Sequence, residues 1–246
     1  MSKQKQKPKT SRPKPGQPKP ASETPQHKRA FHLEFITPAQ KMAWASFDQH
    51  DVIFLLGAPG VGKSHLACAF AISEVLSKRK KKIVLTRPIV EAGGESIGYL
   101  PGTFEEKVNP YMLPLYDCMD RMLGPVGPQR DIINKSVELA PICFMRGRTF
   151  NDAVCIFDEA QNATFSQIKL FLTRFGKNSK VIITGDPMQS DLKPADRALM
   201  KVVDKLSTVN GIGVITFKAN SIVRHPLIAS ILNKLEDKEE NGSSSS

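Results

Sequence analysis

The segment GAPGVGKS at residues 57–64 sets glycines around a lysine and a serine in the spacing G-x-x-x-x-G-K-[ST]. Gly57, Gly60 and Gly62 let the backbone curl until its N–H groups point at phosphate oxygens, with Ala58, Pro59 and Val61 completing the cradle. Lys63 has the reach to meet β and γ phosphates, and the Ser64 hydroxyl is a hard oxygen ligand of the kind Mg²⁺ takes. The chemistry this predicts is binding of a nucleoside triphosphate with its metal. His65 closes the stretch, but one histidine beside a motif carries no role of its own.

Two further segments end in groups suited to the same site. AVCIFDEAQ at residues 153–161 is an apolar run closed by Asp158 and Glu159. Asp158 is suited to holding Mg²⁺, usually through water, and Glu159 to orienting or deprotonating the water that attacks the γ phosphate. VIITGDPMQ at residues 181–189 delivers Thr184, Gly185, Asp186 and, just beyond, Gln189, a polar residue that can sense the γ phosphate. Taken singly, an Asp-Glu pair is also common at a solvated strand end, and GDP is also good turn chemistry.

For these groups to converge, the runs that precede them must be strands of one sheet. VIFLL at 52–56, KIVLT at 82–86, AVCIF at 153–157, KVIIT at 180–184 and GVITF at 213–217 are short β-branched apolar runs, the pattern of strands buried on both faces. Helical patterns fall between them at 63–77, at 164–175 with Thr164 as N-cap, and at 194–206 with Pro194 in the first turn. Strand and helix in that rhythm predict an α/β fold with a parallel central sheet, whose ligands gather at the carboxyl ends of the strands. Residues 91–148 break the rhythm with Pro and Gly, and Pro110 and Pro114 predict kinks in any helix there. They read as an insertion on the nucleotide face.

Charge and composition bound the rest. The chain has 246 residues, 35 Lys plus Arg against 24 Asp plus Glu, and 40% hydrophobic residues, enough for one substantial core. Of the net charge of +11, residues 1–30 supply +8, from nine basic side chains and one acid, Glu23. That Lys/Pro-rich stretch has almost nothing apolar to bury and is expected to be disordered, as is 237–246; residues 31–236 are left to carry the fold. No apolar run reaches the ~18 residues of a membrane span, so no membrane partner is expected, and a cytoplasmic protein is. Cys68, Cys118, Cys143 and Cys155 lie far apart and read as free, mostly buried thiols.

In combination the segments resemble the PhoH family of ATPases, the phosphate-starvation-inducible proteins of bacteria and their phages. The likeness runs through GAPGVGKS, TRP at 86–88, GYLPGTFEEKVNPYMLPLYD at 98–117, APICFMRGRTF at 140–150, IFDEAQNAT at 156–164, FLTRFG at 171–176, TGDPMQSDL at 184–192 and IVRHPLI at 222–228. It implies a single RecA-like P-loop NTPase domain similar to the first ATPase domain of superfamily 1 helicases, with the Gln189-bearing strand between the phosphate-loop strand and the Asp158 strand. It also implies ATP and Mg²⁺ as cofactors, bound along residues 57–65, with Gln40 in TPAQ reading the adenine edge and Gln189 sensing the γ phosphate.

The same resemblance implies an arginine finger, Arg224 or Arg174, and a nucleic-acid path lined by Arg87, with Arg146 and Arg148 as further contacts. Such helicases close ATP between two RecA-like domains, whereas one is expected here. Completing each site then calls for a homo-oligomer, a hexameric ring for example, with the finger supplied in trans. The function expected is Mg²⁺-dependent ATP hydrolysis coupled to RNA or single-stranded DNA, the basic tail adding sequence-independent attraction, in the host cytoplasm if the protein is phage-encoded. The alternative is a nucleotide-gated binding or assembly protein with slow turnover. A small-molecule kinase suits these residues less, because a water-activating Glu159 and a γ-phosphate sensor favour hydrolysis.

Overall fold

The computed structural model describes residues 33–88, 104–124 and 126–218. In chain order the elements are α1 (Pro38–Gln49), β1 (Val52–Leu56), α2 (Lys63–Leu76), β2 (Lys82–Thr86), α3 (Phe104–Leu123), α4 (Pro128–Ser136), β3 (Val137–Leu139), β4 (Ala153–Phe157), α5 (Phe165–Leu172), β5 (Lys180–Gly185), α6 (Leu199–Leu206) and β6 (Ile212–Thr216). The strands form one sheet in the order β3-β2-β4-β5-β1-β6, every described pair parallel. The α/β class is as the strand and helix pattern predicted, and the placement of β5 between β1 and β4 is as the family resemblance implied.

The strands are continuous apolar runs because each face of the sheet is roofed by helices. Ile53, Leu55, Ile83, Leu85, Val154, Ile156 and Ile182 point into a core closed by α1, α2, α3 and α4. Their strand neighbours Phe54, Val84, Cys155, Phe157, Val181 and Ile183 point into a second core under α5 and α6. This period of two fixes the register, and with it which residues emerge at the carboxyl edge.

Boundaries differ from expectation in a few places, each for a local reason. The last helix starts at Leu199, not Pro194: the Asp196 N–H closes a turn on the Lys193 carbonyl, and the Arg197 guanidinium donates to the Leu192 and Ser190 carbonyls. The helix capped by Thr164 ends at Leu172, where the Thr173 hydroxyl donates to the Lys169 and Leu170 carbonyls and frees Phe175 to bridge Phe150. The final strand is shifted back by one residue, because Phe217 turns into the core beside the phosphate loop.

The insertion is more regular than its prolines suggested. α3 runs for 20 residues through Pro110 and Pro114, both of them exposed. Its Met112, Leu115, Cys118 and Met119 make a buried stripe, against α2 above all. After α4 the chain enters β3, a three-residue strand on the edge of β2 that no periodicity signalled. Tyr99, Arg224 and His225 lie outside the described residues, as do the two tails expected to be disordered.

Candidate nucleotide site

The loop between β1 and α2 is built around two glycines whose backbone conformations would strain any other residue. Gly57 has φ of +149°, and a Cβ there would sit 2.8 Å from the Phe217 carbonyl oxygen. Gly62, the N-cap of α2, has φ of +92° and would put a Cβ 2.9 Å from Gln40 Nε2. Both contacts are closer than real Cβ atoms come, so the loop is pressed between α1 and the end of β6. The result is a curled backbone running into a helix N-terminus, where unpaired N–H groups and the helix dipole favour an anion. Lys63 Nζ donates to the Gly57 and Ala58 carbonyls, at 2.6 and 2.9 Å, and is folded over the loop it serves.

The metal-site candidates meet as well. Register pairs Phe157 of β4 with Ile183 of β5, which brings Asp158 beside Thr184. Asp158 Oδ1 accepts from Ser64 Oγ at 2.6 Å and from Thr184 Oγ1 at 2.5 Å, and the side chain is buried. Two adjacent hard oxygen ligands suit Mg²⁺, which takes one or two protein groups and fills the rest of its octahedron with water and phosphate. Among the described residues no cluster of three or more His, Cys, Asp or Glu side chains would hold a metal alone. One more group fits a hydrated cation: Thr86 Oγ1, at the carboxyl end of β2, is buried with no hydrogen-bond partner among the described residues. An orphaned buried hydroxyl of this kind calls for a polar occupant.

Glu159 sits next to this pair in the left-handed region, φ +55° and ψ +40°. Two side chains hold its carboxylate. Gln161 Nε2 donates to Oε2 at 2.5 Å, and an Arg87 guanidinium nitrogen lies 3.3 Å from Oε1. Gln161 is buried, its Oε1 accepts from the Asp186 N–H at 3.0 Å, and its carbonyl accepts from Ser190 Oγ. It therefore ties Glu159 to the loop after β5 that carries Gln189, itself exposed. Sequence reasoning does not single out Gln161; its place two residues after Glu159, at the end of a buried strand, is the available signal.

The remaining candidates are dispersed. Gln40 is buried, and its Oε1 accepts from the Ile36 and Thr37 N–H groups while its Nε2 donates to the Val61 carbonyl. With both acceptor lone pairs engaged, the group left to read adenine is the second N–H of Nε2. His65 is exposed on the first turn of α2, its Nδ1 3.8 Å from Cys118 Sγ.

Arg87 follows β2 at the carboxyl edge and also donates to the Tyr111 carbonyl of α3. Arg148 lies toward the other end of β2, where it pairs with Glu138, which also binds Lys82 at the strand's start. Arg87 and Arg148 are thus held by different carboxylates, Glu159 and Glu138. Arg146 is exposed near Arg148. Arg174 donates to the Arg148 carbonyl and the Thr173 hydroxyl, on the segment leading into β5 and so at the amino edge, away from the phosphate loop of the same chain.

Residues 32–236 match the family model described as PhoH-like protein. A PhoH-like protein of Bacillus subtilis (strain 168) is 45% identical over 197 residues, which are 80% of this chain and 61% of that protein. Protein PhoH of Escherichia coli (strain K12) is 39% identical over 186 residues, 74% of this chain and 52% of that one. The chain therefore spans about half to three-fifths of the length of these relatives. Among solved structures, the large terminase of a thermophilic bacteriophage shares the fold, with a TM-score of 0.54 at 12% identity over 81% of this chain and 50% of that one. A parallel sheet with the phosphate loop at its carboxyl edge, a family model spanning 32–236 and these relatives lead to one conclusion: the chain belongs to the PhoH family.

Proposed function

We propose that this protein is a Mg²⁺-dependent ATPase whose turnover is coupled to RNA or single-stranded DNA. The observation that carries the reading is the convergence of Ser64 and Thr184 on one carboxylate oxygen of Asp158, directly behind the Gly57–Gly62 curl and beside Glu159. In this reading the loop N–H groups receive the phosphates. Lys63 exchanges its two carbonyl partners for β and γ oxygens, and Ser64 and Asp158 hold the cation. Mg²⁺, once bound, supplies charge neutralisation on the transferring phosphoryl group. Glu159 orients the attacking water and takes its proton, with Gln189 reporting on the γ phosphate.

Coupling to a polymer has a structural handle in Arg87. A guanidinium held on Glu159 is the kind of group a phosphodiester takes bidentately. Engagement of Arg87 by a nucleic-acid phosphate would release the carboxylate for its water, so turnover would rise when a strand is bound. The same restraint, with Gln161 on the other oxygen, is what a nucleotide-gated assembly protein with slow turnover would show. A finger from Arg174 has to come from a neighbouring copy, given its place at the amino edge.

The test is the steady-state ATPase rate at low salt, with and without single-stranded RNA and single-stranded DNA, against Lys63→Ala. Stimulation of several-fold by one polymer, abolished in Lys63→Ala, supports the coupled ATPase and identifies the polymer. Turnover that ignores both polymers replaces it with the nucleotide-gated reading.

A further inference from the structure

Three groups with no part in that chemistry meet where α3 crosses the first turns of α2. Cys68 lies one turn after Ser64 on α2 and is fully buried, and Cys118 on α3 is 5% exposed. The two thiols are neighbours in one buried cluster, and His65 Nδ1 lies 3.8 Å from Cys118 Sγ. His65 is exposed, so the cluster reaches from solvent to the core in three side chains.

We propose that Cys68 and Cys118 form a peroxide-oxidisable pair, with Cys118 the attacking thiol and Cys68 the resolving one. The roles follow from their surroundings. Cys118 is the less buried of the two and the one that meets the exposed His65 imidazole, and the contacts with Cys68, His65 and Arg121 lower its thiol below the ordinary range despite burial, which favours attack from it. Cys68 is fully buried behind it, and the contact with Cys118 first, then burial, raises its thiol above the usual range, which suits the resolving role.

Cys118 sulfur attacks one oxygen of hydrogen peroxide. The S–O bond forms, the O–O bond breaks, and hydroxide leaves and is protonated to water. Cys68 then loses its proton to solvent and attacks Cys118 sulfur. The S–S bond forms, and the sulfenic oxygen leaves with a proton as a second water. Two thiols are oxidised and one peroxide is reduced. The product staples the helix that carries Lys63 and Ser64 to the insertion.

The experiment uses the full chain, as wild type and with the exposed Cys143 changed to Ser to remove intermolecular coupling. Each is treated briefly with hydrogen peroxide at pH 7, blocked with iodoacetamide, digested and read by mass spectrometry. The expected result is a Cys68–Cys118 peptide lighter by two hydrogens and restored by dithiothreitol. Before oxidation, native Cys118 should alkylate at least about 100-fold faster than Cys155, which burial pushes up to about 12. Recovery of both thiols unoxidised, or Cys118 passing to sulfinic acid without joining Cys68, would overturn the proposal.

Discussion

Glu159 carries the conflict at the centre of the site. A non-glycine residue at φ +55° is uncommon, and its carboxylate is bound on one oxygen by Gln161 and on the other by Arg87. Removing the charge without the shape is the direct probe. Glu159→Gln should lower ATP turnover by about 10²-fold or more, with nucleotide affinity retained, read by steady-state kinetics beside a fluorescent-nucleotide titration. Arg87→Ala should act the other way in the absence of polymer, raising basal turnover several-fold while abolishing stimulation by nucleic acid. A drop in basal turnover would instead make Arg87 an essential part of the nucleotide machinery. Gln161→Leu tests the tether itself. It strands the buried Asp186 N–H without its acceptor, which should cost about 1–3 kcal/mol in denaturant unfolding before any kinetic effect.

At the level of elements, legibility followed burial. β1, β4 and β5 are covered on both faces, so VIFLL, AVCIF and KVIIT had to be apolar and could be read as strands, and GAPGVGKS could be placed after one of them. β3 could not: VEL is three half-buried residues, and its middle one, Glu138, belongs there because Lys82 and Arg148 meet it from separate elements. The same holds in the site. Asp158 and Ser64 announce themselves by motif. The Arg87–Glu159 pair spans 72 positions and exists because Thr86 of β2 lies opposite Phe157 of β4, a register that sequence does not display. The β3 attachment makes a prediction about acid. Burial alone would raise the Glu138 carboxyl, but the bonds from Arg148 and Lys82 prevail and hold it below its ordinary value of 4.5. A carboxyl lowered in the folded state stabilises above its unfolded pKa and loses that contribution as pH falls through its folded one. Protection of the Ala140 amide, which donates to the Leu85 carbonyl beside β3, should therefore weaken as pH drops below about 4.5, judged against internal amides of β5 in hydrogen exchange. In Glu138→Gln that pH dependence should vanish.

For the whole molecule, the proposed coupling raises the question of how the core would reach a polymer and hold it without reading sequence. The folded part does not supply the charge. Of the net +11, residues 1–30 carry nine basic side chains and one acid, which leaves +3 for everything after them. Lys and Arg spaced by Pro, with no aromatic residue among them, offer backbone phosphates an electrostatic partner and offer bases nothing to stack on. Each phosphate neutralised on a single strand contributes about 0.7 to the slope of log affinity against log salt, so nine contacts amount to roughly 6. Deleting residues 1–30 should therefore flatten the slope by roughly 4–6 and weaken binding to RNA and single-stranded DNA alike at 50 mM salt. By 200 mM the difference between the two forms should have shrunk by about 10³-fold, because counterion release no longer favours the tail. Turnover at saturating polymer should be unchanged, since the tail holds none of the groups at the phosphate loop or around Asp158. Equal slopes with and without the tail would assign the polymer to the folded core, and Arg87 at the nucleotide edge would then be the first residue to vary.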